Sequence, residues 1–268
     1  MNFYDRFRVK PGAKVDLARF DPDSSAGANK ASALKRAETS RRRLAELQEM
    51  LYAEGRRSVL IVLQAMDAGG KDGTIRHVMS GVNPQGCRVT TFKAPTAEEL
   101  AHDFLWRIHK AVPRRGEIGI FNRSHYEDVL IVRVHELVSK EVWSRRYEEI
   151  NNFEAALAAA GTHILKFFLH ISPDEQARRI TKRLHDPHKQ WKFNPEDIKE
   201  RAHWKEYMKA YGDALGRCST AAAPWFIIPA NKKWYRNLVI SSIVAQSLEG
   251  LKMKYPQPTF DPSNIVVK

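Results

Sequence analysis

The stretch Val59-Leu60-Ile61-Val62-Leu63-Gln64-Ala65-Met66-Asp67-Ala68-Gly69-Gly70-Lys71-Asp72-Gly73-Thr74-Ile75 decides the fold. An apolar, β-branched run stops at a glycine pair, a lysine follows, and a helix can begin at once. That order gathers backbone N–H groups, an ammonium charge and a helix N-terminus at one point, which suits a phosphate group. The strict pattern is G-x-x-x-x-G-K-[ST] (Walker A). Here Ala65 stands where its first glycine belongs, and Asp72 replaces the hydroxyl residue that holds magnesium. Ala68, Gly69, Gly70, Lys71, Asp72 and Gly73 form the candidate phosphate cradle. The competing reading is a plain strand–turn–helix with a chance Gly-Gly-Lys; the strand-then-helix context favours the cradle.

Working outward, strands and helices alternate. Residues 1–28 read as an extended arm, and 31–53 as an amphipathic helix with Leu34, Leu44, Leu47, Met50 and Leu51 on one face. Gly55 is its expected C-cap. Strands are expected at 58–65, 88–92, 117–121, 162–170 and 224–229. Helices are expected at 74–80, 97–110, 126–135, 141–160, 195–215 and 232–253, with one opening at Ser172-Pro173. Strands apolar throughout suit a parallel sheet covered on both faces. The expected architecture is a doubly wound α/β layer with its ligand beyond the strand C-termini.

Composition sets bounds. The 268 residues are 43% hydrophobic, enough for a globular core. No apolar run approaches a membrane span, and the N-terminus shows no signal peptide, so a cytoplasmic protein is expected. Cys87 and Cys218 are too few for a disulfide framework and read as buried small hydrophobes. The net charge of +13 attracts polyanions, yet no nucleic-acid recognition module is present.

Three further elements carry chemistry. The third strand runs into Phe121-Asn122-Arg123-Ser124-His125-Tyr126-Glu127-Asp128. Asn122 takes the place of the polar residue that holds magnesium or its waters beside a phosphate loop, and Arg123 can reach a transferring phosphoryl group. Glu127 and Asp128 either join the site or merely complement a helix dipole. Asp67, inside the loop, reads as a magnesium ligand or a base near the acceptor; the alternative is a turn residue. Residues 178–193, dense in Lys and Arg, sit between the fourth and fifth strands. They read as a lid whose Trp191 and Phe193 pack it into an ordered cap, against the alternative of a solvated basic face. His102 and His109 fall on one face of the 97–110 helix and read as structural. Trp106, Trp204, Tyr207 and Tyr211 read as core.

Taken together, the loop, the Phe121–Val129 segment, the lid, the Asn83-Pro84 turn and Pro229-Ala230-Asn231-Lys232-Lys233-Trp234-Tyr235-Arg236 resemble the polyphosphate kinase 2 family. The Phe-Asn-Arg-Ser-His-Tyr-Glu-Asp form is similar to its class III subgroup. Many relatives have Asp where this chain has Asn122, which moves the expected metal burden to Asp67. The resemblance implies a P-loop kinase-like three-layer α/β/α fold with a five-stranded, mostly parallel sheet. It implies one domain over 1–268: arm and helix 1–56, core 57–268, lid about 172–200. It also implies reversible, magnesium-dependent phosphoryl transfer from inorganic polyphosphate to AMP and ADP, in a dimer or tetramer.

On that basis Lys71 and Arg123 are expected at the transferred phosphoryl, and Asp67 with Asp128 at the metal. Asn122, Glu127 and Asp128 are expected near the nucleotide, with Glu127 at the adenine amino group. Arg178, Lys182, Arg183 and Lys192 are expected to clamp phosphates from the lid, and Arg76 and Arg88 to line the polyphosphate channel. The competing functions are an ATP-dependent nucleoside or nucleotide kinase and a non-catalytic polyanion-binding protein.

Overall fold

The computed structural model describes all residues except Met1, Pro262, Asn264, Val266 and Lys268. Its elements run α1 (Phe3–Phe7), α2 (Lys30–Glu54), β1 (Ser58–Gln64), α3 (Lys71–Val78), β2 (Cys87–Thr91), α4 (Ala97–Leu100), α5 (Trp106–His109) and β3 (Ile118–Asn122). There follow α6 (Ile131–Val134), α7 (Lys140–Ala159), β4 (Thr162–His170), α8 (Pro173–Leu184), α9 (Glu196–Glu200), α10 (Trp204–Arg217), β5 (Trp225–Pro229) and α11 (Lys233–Gly250). The five strands form one parallel sheet in the order β2-β3-β1-β4-β5.

Alternation along β1 explains the layers. Val59, Ile61 and Leu63 face a core shared with α2 and α11, while Leu60 and Val62 face one shared with α7 and α10. All seven β1 residues are therefore buried, as a central parallel strand requires. The helix α2 is capped by Asn29, whose side chain accepts from the N–H groups of Ala31 and Ser32, and ends at Gly55 with φ +63°. It packs on α11 through Ala33, Ala37, Leu44, Leu47 and Leu51. Leu34, expected on that face, is 45% exposed, because the small alanines beside it make the close contact. No helix among the described residues is long and apolar enough to cross a membrane.

Several expectations change. The 97–110 helix is broken into α4 and α5, because the Asp103 carboxylate accepts from Leu105 N–H and turns the backbone. His102 and His109 therefore share no helix face: His102 stacks on Trp106 and His109 meets Phe153 edge-on. The 126–135 helix becomes a 3-10 turn over His125–Val129 and the short α6, separated at Leu130 (φ −109°, ψ −89°). The 195–215 helix is α9 and α10 joined by a 3-10 turn. The arm contains α1, whose Phe3 is buried against Tyr235. Cys87 is half-buried, while Cys218 is fully buried.

The topology fixes where a ligand sits. The connection leaving β1 crosses to the β2 side, whereas the connection leaving β3 crosses to the β4 side. A crevice opens where neighbouring connections diverge in this way. Leu63 is in register with Asn122, so the Gln64–Lys71 loop and Arg123 leave the sheet side by side.

Candidate active site

Glycine shapes the loop. A Cβ on Gly69 would lie 2.4 Å from the Ala65 methyl and 2.7 Å from the Met66 carbonyl. Ala65 is thus tolerated in the first-glycine position because residue 69 carries no side chain. Gly70 is the N-cap of α3 with φ +102°, a conformation that glycine adopts without strain. Lys71 is the first residue of α3, earlier than expected, and its ammonium folds back to the Ala65 carbonyl at 3.0 Å. Burial pulls the Lys71 pKa down, as does the charge of Arg123, while Asp67, Glu127 and Asp72 oppose the shift.

Arg123 sits just past β3 with φ +62°, and its guanidinium meets the Asp67 carboxylate at 2.7 Å. Burial works against the charge on Arg123, yet Glu127 and Asp67 leave its pKa raised. Asn122 donates to Asp72 at 3.0 Å, and Lys192 reaches across from the lid to the same carboxylate at 3.1 Å. Burial would raise the Asp72 pKa; the hydrogen bonds from Lys192 and Asn122 outweigh it and hold the group low. Asn122 is thereby placed as a neutral strut on the start of α3.

The segment read as a lid grips the loop from α8. Gln176 donates to the Asp67 carbonyl at 2.9 Å. Arg179 donates to the carbonyls of Ala68 and Gly69 and, at the end of β5, to those of Ala230 and Asn231. Arg183 donates to the Lys192 carbonyl and to Asp197, each at 3.1 Å. A cavity of about 190 Å³ lies between loop and lid, lined by Met66, Asp67, Arg123, Glu127, Tyr207 and Tyr211 among others. Asp197 and Glu200 also line it. Burial, then the charge of Asp67, raises the Asp197 pKa, while Arg183 opposes. Glu127 accepts from Gln64 at 3.1 Å.

Not every candidate joins this crevice. The Asp128 carboxylate is taken by Arg146 at 3.0 Å, and Asp128 is absent from the cavity wall. Burial raises its pKa to about 6 against the opposing charge of Arg146. Arg178 is exposed and forms a bidentate pair with Glu175 at 2.6 and 2.8 Å. Lys182 and Arg76 are exposed on α8 and α3. Arg88 lies on the edge strand β2, lining a separate cavity of about 520 Å³ with Lys93, Arg107 and Lys110. Trp191 is 77% exposed, so it does not pack the lid; its ring lies under the Lys192 ammonium instead. Tyr207 and Tyr211 are buried as expected, but they also line the cavity.

Gln176, Arg179, Asp197 and Glu200 were not legible as site residues; only the Glu175–Arg179 spacing of four gave a signal. A larger cavity, about 920 Å³ between the arm and α10, is mainly apolar and lies away from the loop. The smaller one holds Asp67, Arg123 and Glu127 beside the glycine loop and is the better candidate.

A magnesium ion commonly uses one or two protein carboxylates, with water and substrate phosphates completing its shell. Asp67 fits that role, with its carboxylate on the cavity wall beside the cradle. Among the described residues no group of three or more His, Cys, Asp or Glu gathers at metal-ligand spacing. The donor set therefore suits a metal held mainly by phosphates.

Residues 27–256 match the family described as polyphosphate kinase 2. The chain is 55% identical over 265 residues to an AMP/ADP-polyphosphate phosphotransferase of Meiothermus ruber, covering 98% of this chain and 99% of that one. It is 47% identical to an ADP-polyphosphate phosphotransferase of Rhodopseudomonas palustris, covering 95% and 92%. The crystal structure of polyphosphate kinase 2 from Arthrobacter aurescens TC1 superposes with a TM-score of 0.94 at 45% identity, covering 98% and 94%.

Proposed function

Because this chain belongs to the polyphosphate kinase 2 family, we infer that it transfers the terminal phosphoryl group of inorganic polyphosphate to AMP and ADP, reversibly. The observation that carries this reading is the convergence of Lys71, the Asp67–Arg123 pair and the lid cation Lys192 on one glycine-shaped loop at the sheet's switch point. Phosphoryl transfer asks little covalent chemistry of a protein and depends on cations placed around an in-line path.

The N–H groups of residues 68–73 and the Lys71 ammonium hold the donor's terminal phosphates. Arg123 presents its planar fork to the transferring oxygens, with Asp67 fixing its orientation until substrate arrives. Asp67 also supplies the protein carboxylate for magnesium, which when bound neutralises charge on the phosphate oxygens. The acceptor enters the cavity between Glu127, Tyr207 and Tyr211, where Glu127 accepts from the adenine amino group.

That cavity, about 190 Å³, is smaller than the roughly 300–1,000 Å³ usual for small-molecule sites. The segment 172–200 therefore acts as a lid that lifts to admit the nucleotide, breaking Lys192–Asp72, and closes again to exclude water. Arg178 and Lys182 lie on its outer side, where they meet the trailing polyphosphate. A single domain carries the whole site, in a cytoplasmic homodimer or homotetramer.

The test is a donor swap. Purified protein, magnesium and AMP are incubated with either long-chain polyphosphate or ATP, and products are separated by chromatography. Polyphosphate gives ADP and then ATP, and Lys71→Ala and Asp67→Ala each abolish product while circular dichroism stays native. ADP formation with ATP as the only effective donor, or full activity in either variant, overturns the reading.

A further inference from the structure

Beneath the loop lies a cation that the reaction just described does not use. Arg236, in the first turn of α11, is 2% exposed. Its Nε and Nη2 donate to the neutral carboxamide of Asn237 at 3.1 and 2.8 Å. Its Nη1 is buried and has no hydrogen-bond partner among the described residues. The neighbouring charge that reaches it is that of Arg179, which has the same sign; with burial it pulls the Arg236 pKa down to about 9. Arg179 itself is balanced by Glu175 at 2.6 Å. The floor of the loop thus carries one buried positive charge with no carboxylate to offset it.

Its aim is specific. A Cβ on Gly70 would fall 2.2 Å from Arg236 Nη1, and one on Gly73 3.7 Å from Nη2. The two glycines that bracket Lys71 therefore leave room for this guanidinium directly behind the backbone that cradles phosphate. Lys233, one turn earlier, has its pKa lowered by burial and then by Arg179 and Arg236, so it adds to the same field. An unpaired buried ion is among the least favourable features a fold can hold. A polyanion on the outer face of the loop relieves it.

We propose that Arg236 is a positioning residue for the donor: its uncompensated charge acts through the Gly70–Gly73 backbone to hold polyphosphate, without touching it. The proposal rests on the loop being the donor site. It separates polyphosphate from the nucleotide, which sits on the lid side of Asp67 and Arg123, away from α11.

The test compares Arg236→Met, which keeps the length of the stem and removes the charge, with Arg236→Lys and Arg236→Gln. In Arg236→Met the KM for polyphosphate rises about tenfold, the order given by one charge set a layer behind the ligand at intermediate dielectric. The KM for AMP stays within twofold. The melting temperature without anions does not fall, because the unpaired charge is gone, and the upward shift produced by tripolyphosphate shrinks. Arg236→Lys restores most of the polyphosphate affinity. Should Arg236→Met fail to fold, Arg236→Gln against Arg236→Lys gives the same contrast of charge at similar reach.

A polyphosphate KM within twofold of the parent overturns the proposal. So does a parallel rise in both KM values with a lower melting temperature, which marks a purely structural role. Lys71→Ala is the internal reference. If it too leaves polyphosphate binding unchanged, the donor-site reading has failed; if it weakens binding and Arg236→Met does not, only this inference has.

Discussion

Replacing Arg179 by methionine tests whether one side chain ties together the loop, the lid helix and the end of β5. Its guanidinium donates to the carbonyls of Ala68 (3.1 Å), Gly69 (2.9 Å), Ala230 (2.5 Å) and Asn231 (3.1 Å), and its Nε meets Glu175 at 2.6 Å. Methionine fills much of the stem's volume but leaves these acceptors unpaired at a position only 8% exposed. A hydrogen bond with a charged partner nets about 1.5–3 kcal/mol, and removing one member of a buried ion pair costs about 3–5 kcal/mol. The two figures describe the same atoms and do not add, so the expected loss is about 4 kcal/mol. At about 2–4 °C per kcal/mol for a chain of this size, the melting temperature falls by about 8–16 °C. Differential scanning calorimetry reads this directly. The kcat/KM for polyphosphate falls at least about 100-fold, because misplacing a catalytic loop by an ångström is enough for that loss. The double variant Glu175→Gln/Arg179→Met recovers less than about 1 kcal/mol, since the Glu175 carboxylate keeps its bidentate partner Arg178 and the loss comes mainly from the stranded carbonyls. A melting temperature within about 3 °C of the parent, with activity intact, would refute the idea that Arg179 anchors the loop.

Further expectations follow the same geometry. Lys192→Ala removes a partly exposed ion pair to Asp72, so stability changes by less than about 1 kcal/mol while kcat/KM falls at least about tenfold; unchanged kinetics would remove Lys192 from the lid's closing contact. Lys166→Met strands the buried carboxylate of Glu154, which also binds Tyr126 and His125 behind Arg123; urea unfolding should show a loss of about 3–5 kcal/mol, largely recovered by adding Glu154→Leu. Asp128 has a folded pKa of about 6, above the unfolded value of about 3.9. Its ionised, buried form disfavours folding above about pH 6, and that penalty disappears as pH falls towards about 4. Asp128→Asn should therefore flatten the rise in stability between those pH values, and an unaltered slope in urea titrations would count against it. Removing magnesium with a chelator should abolish turnover without lowering the anion-free melting temperature by more than about 1 °C, since Asp67 is already paired with Arg123.

Much of this arrangement is legible along the chain because its causes are local. Seven consecutive β1 residues are buried and the middle five, Val59–Leu63, are apolar, the pattern the centre of a parallel sheet favours. The loop reads through its glycines: Gly69 is required by contacts four residues away or less, whereas Gly70 and Gly73 leave room for Arg236, far along the chain. Asn122 and Arg123 read through their place at the end of β3. What escapes is set by long-range pairing. Asp128 looks like a site acid until Arg146, eighteen positions later, claims it. Arg178 and Arg179 are indistinguishable in sequence; which one meets the loop depends on the rotation of α8, and it is Arg179. Asp197 and Glu200 reach the cavity only because the lid folds back over it, and nothing local to residues 190–200 foretells that. The 97–110 segment keeps helical spacing, but one Asp103 side chain bonding its own backbone breaks it.

The most direct measurement follows the phosphorus atom itself. Phosphorus-31 NMR of the protein with magnesium, AMP and polyphosphate, and no ATP at the start, should show the internal polyphosphate resonance fall by the same amount of phosphorus that appears in the new phosphoryl groups of ADP and, after a second transfer, of ATP. The same spectra with Lys71→Met, folded by circular dichroism, should show neither change. Orthophosphate released in place of ADP, or transfer at the parent rate in Lys71→Met, would contradict the account.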